Sequence, residues 1–92
     1  MDPSLPGAEL IERGLQDLAR GDESIEALLV SIGAPRLRDL GLPIDRTVPD
    51  PERRLYDLLA AEDSDSAHAR YNALIRRLVS YERAAECASP RT

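Results

Sequence analysis

The absence of large aromatic side chains is the feature that most constrains how this chain folds. The 92 residues include no Phe and no Trp, and the aromatic residues are Tyr56, Tyr71 and Tyr81. A core must therefore be built from 14 Leu, 12 Ala, five Ile and three Val. Small and aliphatic side chains suit closely packed helices, whereas strands favour β-branched and aromatic residues. The composition predicts an all-α fold.

The length predicts a single domain with a thin core, since a chain of this size buries only about 60–65% of its unfolded surface. Residues 41–51 contain three prolines and are the candidate linker. We expect them to cross one shared core, because pieces of about 40 residues seldom fold alone. The domain is expected over residues 8–88, with flexible ends at 1–7 and 89–92.

Helical periodicity predicts a five-helix bundle. Apolar residues recur at i, i+4 and i+7, and Gly or Pro punctuates the pattern. Gly33 is interpreted as the end of the second helix and Pro35 as the start of the third. The last two helices are expected to form a C-terminal helical hairpin, because a short acidic turn joins them. The predicted helices span about 8–20, 23–32, 35–40, 51–61 and 66–88.

The charge is acidic overall and unevenly distributed. The net charge is −5, with 12 Arg, no Lys and 17 acids. Residues 1–46 carry a net charge of −4, whereas residues 66–92 carry +3. An acidic domain is a poor candidate for binding nucleic acid or an anionic membrane. The locally basic C-terminal segment is either a solvated surface, which is the commoner case, or a surface that guides self-association or binds a partner.

Cysteine usage and hydropathy predict a cytoplasmic protein. The single cysteine, Cys87, excludes an internal disulfide. The first residues show neither a basic start nor an apolar run, which predicts no secretory leader. The longest aliphatic run, residues 27–30, is too short to cross a bilayer.

No motif predicts catalysis, a cofactor or a metal. His68 and Cys87 are the only residues of their types, and on one helix they would lie about 28 Å apart. Asp63 and Asp65 precede His68, but this loop lacks the glycine and the bidentate glutamate of a calcium-binding loop. We interpret Asp65 or Ser66 as a helix cap and expect the chain not to be an enzyme.

The last predicted helix, of about six turns, is the candidate interaction surface because it is long and apolar for so small a core. Arg70 and Arg77 lie seven residues apart, and Arg76 and Arg83 repeat that spacing on another side. Tyr and Arg are enriched at interface hot spots. Glu82 interrupts the apolar stripe, so either the helix is exposed there or Glu82 pairs with an arginine across an interface. The predicted partner-binding residues are Arg70, Tyr71, Arg77, Tyr81 and Glu82.

The favoured function is a non-catalytic helical protein–protein interaction module, a small regulator or adaptor that binds a protein partner or forms a homodimer. One alternative is a DNA-binding or antitoxin-like regulator in which residues 24–40 form a helix-turn-helix-like segment and Arg36 and Arg38 contact DNA. Asp39 stands where that motif requires a buried apolar residue, which argues against this alternative. A second alternative is an accessory subunit of an enzyme whose catalytic residues lie on another chain.

Overall fold

The computed structural model describes residues 4–88, and within them the chain is all-helical with four helices. This confirms the all-α class and shows that the predicted count of five helices is wrong. The predicted flexible C-terminus at 89–92 and residues 1–3 of the predicted arm lie outside the described residues. The helices are α1 (Ala8–Arg20), α2 (Ile25–Asp39), α3 (Pro51–Glu62) and α4 (Ala67–Ala88).

The predicted helices 23–32 and 35–40 are one continuous helix, α2. Gly33 stays helical inside it, and the exposed Pro35 removes one backbone donor without ending the helix. Continuity keeps Val30, Ala34 and Leu37 at helical spacing, and all three are buried. A break at Gly33 would turn Leu37 away from that face. The glycine that follows the helix end is Gly41, which has a φ of 96°.

The second helix is the centre of the domain. It contains eight buried residues, more than any other helix of the described segment, and it contacts α1, α3 and α4. Its N-cap is Ser24, whose side-chain oxygen accepts a hydrogen bond from the Ala27 N–H at 3.0 Å.

Two glycines allow neighbouring helices to approach α2 closely. A Cβ on Gly14 of α1 would lie 2.4 Å from Val30 Cγ2 and 2.5 Å from the backbone oxygen of Glu26. A Cβ on Gly33 would lie 2.8 Å from Leu78 Cδ1 on α4. Both glycines therefore serve helix packing rather than helix termination.

The connector between α2 and α3 runs across the shared core. Ile44 is buried, and its carbonyl oxygen accepts a hydrogen bond from Arg38 Nε at 3.0 Å. The Val48 N–H donates to Ser31 Oγ at 3.0 Å, which ties the connector to α2. Asp50 is the N-cap of α3 but makes no side-chain cap hydrogen bond and has a φ of 51°; α3 begins at Pro51, as predicted.

The third and fourth helices form the predicted hairpin around residues 63–66. The fourth helix has 22 residues, or about 33 Å, in a molecule whose longest dimension is 45 Å. Its first half lies on α3 through Tyr71, and its second half lies on α2 through Leu78. No helix of the described segment has the length and apolarity required to cross a membrane.

The described part of the predicted N-terminal arm lies against the bundle. Leu5 packs on the core, and its carbonyl oxygen accepts a hydrogen bond from the Ala8 N–H at 3.1 Å. A Cβ on Gly7 would lie 3.2 Å from the backbone oxygen of Arg77, so this turn touches α4. Gly7 has a φ of 78°, a conformation that L side chains rarely adopt.

A polar cluster joins the end of α1 to the start of α2. The buried Asp17 accepts a hydrogen bond from Ser24 Oγ at 2.5 Å and forms an ion pair with Arg20. The hydrogen bond from Ser24 is the largest influence on the pKa of Asp17. Together with Arg20, it outweighs burial and lowers the pKa of the carboxyl below its ordinary value.

We expect Gly14→Ala to reduce the free energy of unfolding by about 1–3 kcal/mol, because the new methyl meets backbone that cannot rotate away. Gly33→Ala should reduce the free energy of unfolding by less, because the new methyl group meets the ends of flexible side chains. Urea denaturation compares both with Gln16→Ala, an exposed control on α1. Equal effects of the two glycine substitutions would contradict the proposed difference in packing.

We expect Asp17→Asn to destabilise the domain at neutral pH and to have less effect in acid. A folded-state pKa below the unfolded value adds stability that is complete above about pH 4 to 5 and is lost as the pH falls through the folded pKa. Denaturant titrations at pH 7 and pH 2.5 measure this difference. Glu12→Gln, at an exposed site on the same helix, is the control. An Asp17→Asn effect that does not change with pH would show that the charge of Asp17 is not stabilising.

Candidate functional site

The five predicted partner-binding residues do not form one exposed surface. Tyr81 is only 1% exposed, so its ring belongs to the core and is not accessible to a partner in this structure. This misplacement arises because helical spacing alone does not distinguish an interface tyrosine from a core tyrosine. In a chain without Phe or Trp, the buried aromatic position is taken by Tyr.

Arg70 and Tyr71 stabilise the hairpin between α3 and α4. Arg70 Nη1 lies 2.8 Å from Glu62 Oε1, across the turn that joins the two helices. The rings of Tyr56 and Tyr71 are 5.8 Å apart between centroids and tilted by 58°. Burial, with a smaller contribution from the charge of Glu52, raises the pKa of Tyr71. Both predicted contacts are therefore engaged within the domain.

Glu82 lies inside the domain, between α4 and α2. It is half-buried, and its Oε2 would be 3.0 Å from a Cβ on Gly33. Burial raises the pKa of the Glu82 carboxyl, and the charge of Arg36 partly offsets that effect. The sequence left two alternatives, an exposed helix end or a pair between Glu82 and an arginine across an interface. Neither describes the structure fully, because Glu82 is half-buried and its arginine neighbour, Arg36, is on α2 of the same chain.

Arg36 and Arg38 also have partners within the domain. Arg36 forms an ion pair with Glu86 of α4, and Arg38 donates to the connector as described above. Because residues 25–39 form one helix, the turn required by a helix-turn-helix is absent from this segment. The structural premise of the DNA-binding alternative is therefore wrong.

Among the five predicted partner-binding residues, Arg77 is the one whose guanidinium group is exposed on the solvent-facing side of α4. Its Nη2 lies 4.0 Å from Glu9 Oε1, at the limit of an ion pair. The surrounding exposed side of α4, here called the outward face, contains three arginines, no acid, and otherwise small residues. The outward face consists of Ala69, Ala73, Arg76, Arg77, Ser80, Arg83 and Cys87.

Two arginines of the outward face are unusual because they have no partner among the described residues. Seven of the eleven arginines in residues 4–88 form ion pairs with carboxylates, and Arg38 donates to a carbonyl oxygen. Arg46, Arg76 and Arg83 do neither. Arg76 and Arg83 lie one heptad apart, or about 10.5 Å along the helix. Their seven-residue spacing was visible in the sequence, but their lack of intramolecular partners was not.

The two acids of α4 do not neutralise the outward face, because they point towards α2. Glu82 lies against Gly33, and Glu86 pairs with Arg36. The inward direction of both carboxylates leaves an excess of positive charge on the opposite side of the helix. This arrangement separates charge within one helix of an acidic protein.

A cleft borders the outward face where the turn at residues 6–7 meets α4. It has a volume of about 300 Å³. Its walls combine small side chains with the stems of two arginines, and it opens towards solvent. The lining residues are Pro6, Gly7, Ala73, Arg76, Arg77 and Ser80.

The histidine and the loop aspartates considered as metal ligands make local contacts in the structure. Within the described segment, no group of three or more His, Cys, Asp or Glu side chains is positioned to hold a metal ion. His68 Nε2 lies 3.2 Å from Asn72 Nδ2, one turn along α4. Asp63 Oδ1 accepts from the Asp65 N–H at 3.1 Å, so this loop aspartate is used in a local turn.

We expect Glu82→Gln to stabilise the domain at neutral pH. A carboxyl whose folded pKa is raised weakens the fold as the pH rises through its unfolded and then its folded pKa, and this penalty is absent in acid. Thermal unfolding at pH 7 and pH 3 should show a gain for Glu82→Gln only at pH 7, relative to Glu12→Gln. A loss of stability at pH 7 would instead show that the Glu82 charge is required for packing.

Comparisons with protein-family models, curated protein sequences and solved structures find no match to this chain.

Proposed function

We propose that this domain is a non-catalytic protein–protein interaction module, a small regulator or adaptor, and that it binds through the outward face of α4. The observation that supports this proposal is the pair Arg76 and Arg83, which have no partner among residues 4–88 and lie on an acid-free helix face of a chain with net charge −5. Arginine is enriched in protein interfaces, where its planar group forms directed hydrogen bonds to carboxylates.

The packing of α4 supports the same proposal. Its apolar side is already used by α2 and α3, so binding at the outward face does not require the bundle to open. The helix also has ion pairs to neighbouring helices near both of its ends. Arg70 pairs with Glu62 near its start and Glu86 pairs with Arg36 near its end. A surface that is ordered before binding loses less conformational entropy on association.

The test is site-specific photo-crosslinking in cells that express the domain. A benzophenone side chain at Ser80, on the outward face, should give a discrete crosslinked product, whereas one at the exposed Gln16 of α1 should not. The double substitution Arg76→Glu and Arg83→Glu should abolish that product because it reverses the charge of the face.

A matched control separates the effect of this face from that of net charge. Arg46→Glu combined with Arg53→Glu makes the same change in total charge on exposed residues outside α4, and should preserve the product. Light scattering after size-exclusion chromatography then distinguishes a second copy from a different protein, since the chain mass is 10.1 kDa. Equal crosslinking from Ser80 and Gln16 would contradict the proposal.

A further inference from the structure

The two arginines of the outward face that pair with no other described residue define a spacing that a binding partner would have to match. Arg76 and Arg83 are separated by seven residues, and Ser80 lies between them. Residues one heptad apart stay in register with residues one heptad apart on a second helix that crosses at a shallow angle. Two carboxylates at that spacing on a facing helix could therefore pair with both guanidinium groups at once.

The side chains between the arginines allow a second helix to lie close. Ser80 lies between Arg76 and Arg83, and Ala73 lies one turn before Arg76; both are exposed and small, so they present little bulk to an approaching backbone. Helix axes pack 8–10 Å apart depending on the side chains at the contact. At the lower end of that range, arginine side chains are long enough to extend around a partner helix to its carboxylates.

The cleft beside Arg76 adds a second requirement. Its lining includes Pro6, Ala73 and two arginines, and the ring, methyl group and stems of these residues are apolar. Its volume of about 300 Å³ is sufficient for an aliphatic side chain, and it opens onto the same face as the two guanidinium groups. A leucine or methionine that enters this cleft would serve as the apolar anchor of the contact.

The charges around the outward face favour a protein rather than a nucleic acid. The Glu9 carboxylate, 4.0 Å from Arg77, lies at the border of the face and would repel a continuous phosphate backbone. A partner helix, in contrast, carries its carboxylates at separate positions and can place a neutral or basic residue opposite Glu9. Complementary charges at such a surface select the partner and speed its association.

We propose that the outward face binds an acidic amphipathic helix of another protein. Two carboxylates of that helix, one heptad apart, pair with Arg76 and Arg83, and an aliphatic side chain enters the cleft beside Arg76. This inference rests on the proposed function, since it names the chemistry of the partner for the same face.

The test uses two synthetic amphipathic helices of about 20 residues, or ~30 Å. One carries Glu at two positions seven apart with Leu between them, and the other carries Lys at those two positions. Fluorescence anisotropy at low salt should show that the domain binds the acidic peptide at least about tenfold more tightly, a difference of ~1.4 kcal/mol. The Arg76→Glu and Arg83→Glu double variant should prefer the basic peptide, whereas the Arg46→Glu and Arg53→Glu double variant, with the same total charge, should keep the original preference.

The cleft is tested separately. Ala73→Trp fills it and should weaken binding of the acidic peptide, but not of the same peptide with Leu replaced by Ala. Equal affinity for the acidic and basic peptides, or an unchanged preference in the double variant, would overturn the inference. If the benzophenone at Ser80 still gives a crosslinked product in cells, the proposed interaction module stands and only the proposal of an acidic partner helix is wrong. If neither experiment detects binding, both proposals fail.

Discussion

The close approach of α1 to α2 at Gly14 is the packing contact on which the rest of the bundle depends. With no Cβ at this position, the backbone of α1 reaches Val30 and the Glu26 carbonyl, and Ile11 and Leu18 are buried one turn to either side. A chain with a single buried tyrosine and no larger aromatic has few bulky side chains to fill space between distant helices. Short interhelical distances replace them, because dispersion contacts are lost rapidly as a gap opens. The position of α2 then determines where α3 and α4 can pack.

Polar side chains fix the chain where the apolar core is thin. Ser24 caps α2 while donating to Asp17 of α1, so one hydroxyl group both starts a helix and joins it to its neighbour. Ser31 performs a similar double role inside α2, since it donates to the Ala27 carbonyl and accepts from the Val48 N–H. Every buried side-chain N or O of the described residues has a hydrogen-bond partner. These bonds position the connector without leaving the cost of an unsatisfied group.

Local signals in the sequence predicted the helices well where capping and periodicity agreed. The predicted first helix, 8–20, and the predicted helix start at 51 match α1 and α3. Gly33 and Pro35 misled the prediction because the same residue types also occur inside helices when tertiary packing compensates for them. The burial of Leu37 favours continuity, and Gly33 is required by the approach of Leu78, a contact 45 residues away. The packing role of Gly14 has the same origin and could not be read from its neighbours in the chain.

The candidate site was only partly predictable because an arginine's function depends on what faces it in space. Helical spacing drew attention to α4, but it could not show that Arg70 and Arg36 form ion pairs with Glu62 and Glu86. Nor could it show that both acids of α4 point inward. Once those pairs are assigned, the positive charge of Arg76 and Arg83 lacks a counterpart among the described residues, although the chain has more acids than bases. Arg36 of α2 forms an ion pair with Glu86 and lies near enough to lower the pKa of Glu82, so it balances negative charge on the inner side of α4. The same ion pair that fastens α4 to α2 is therefore one cause of the basic character of its outward face.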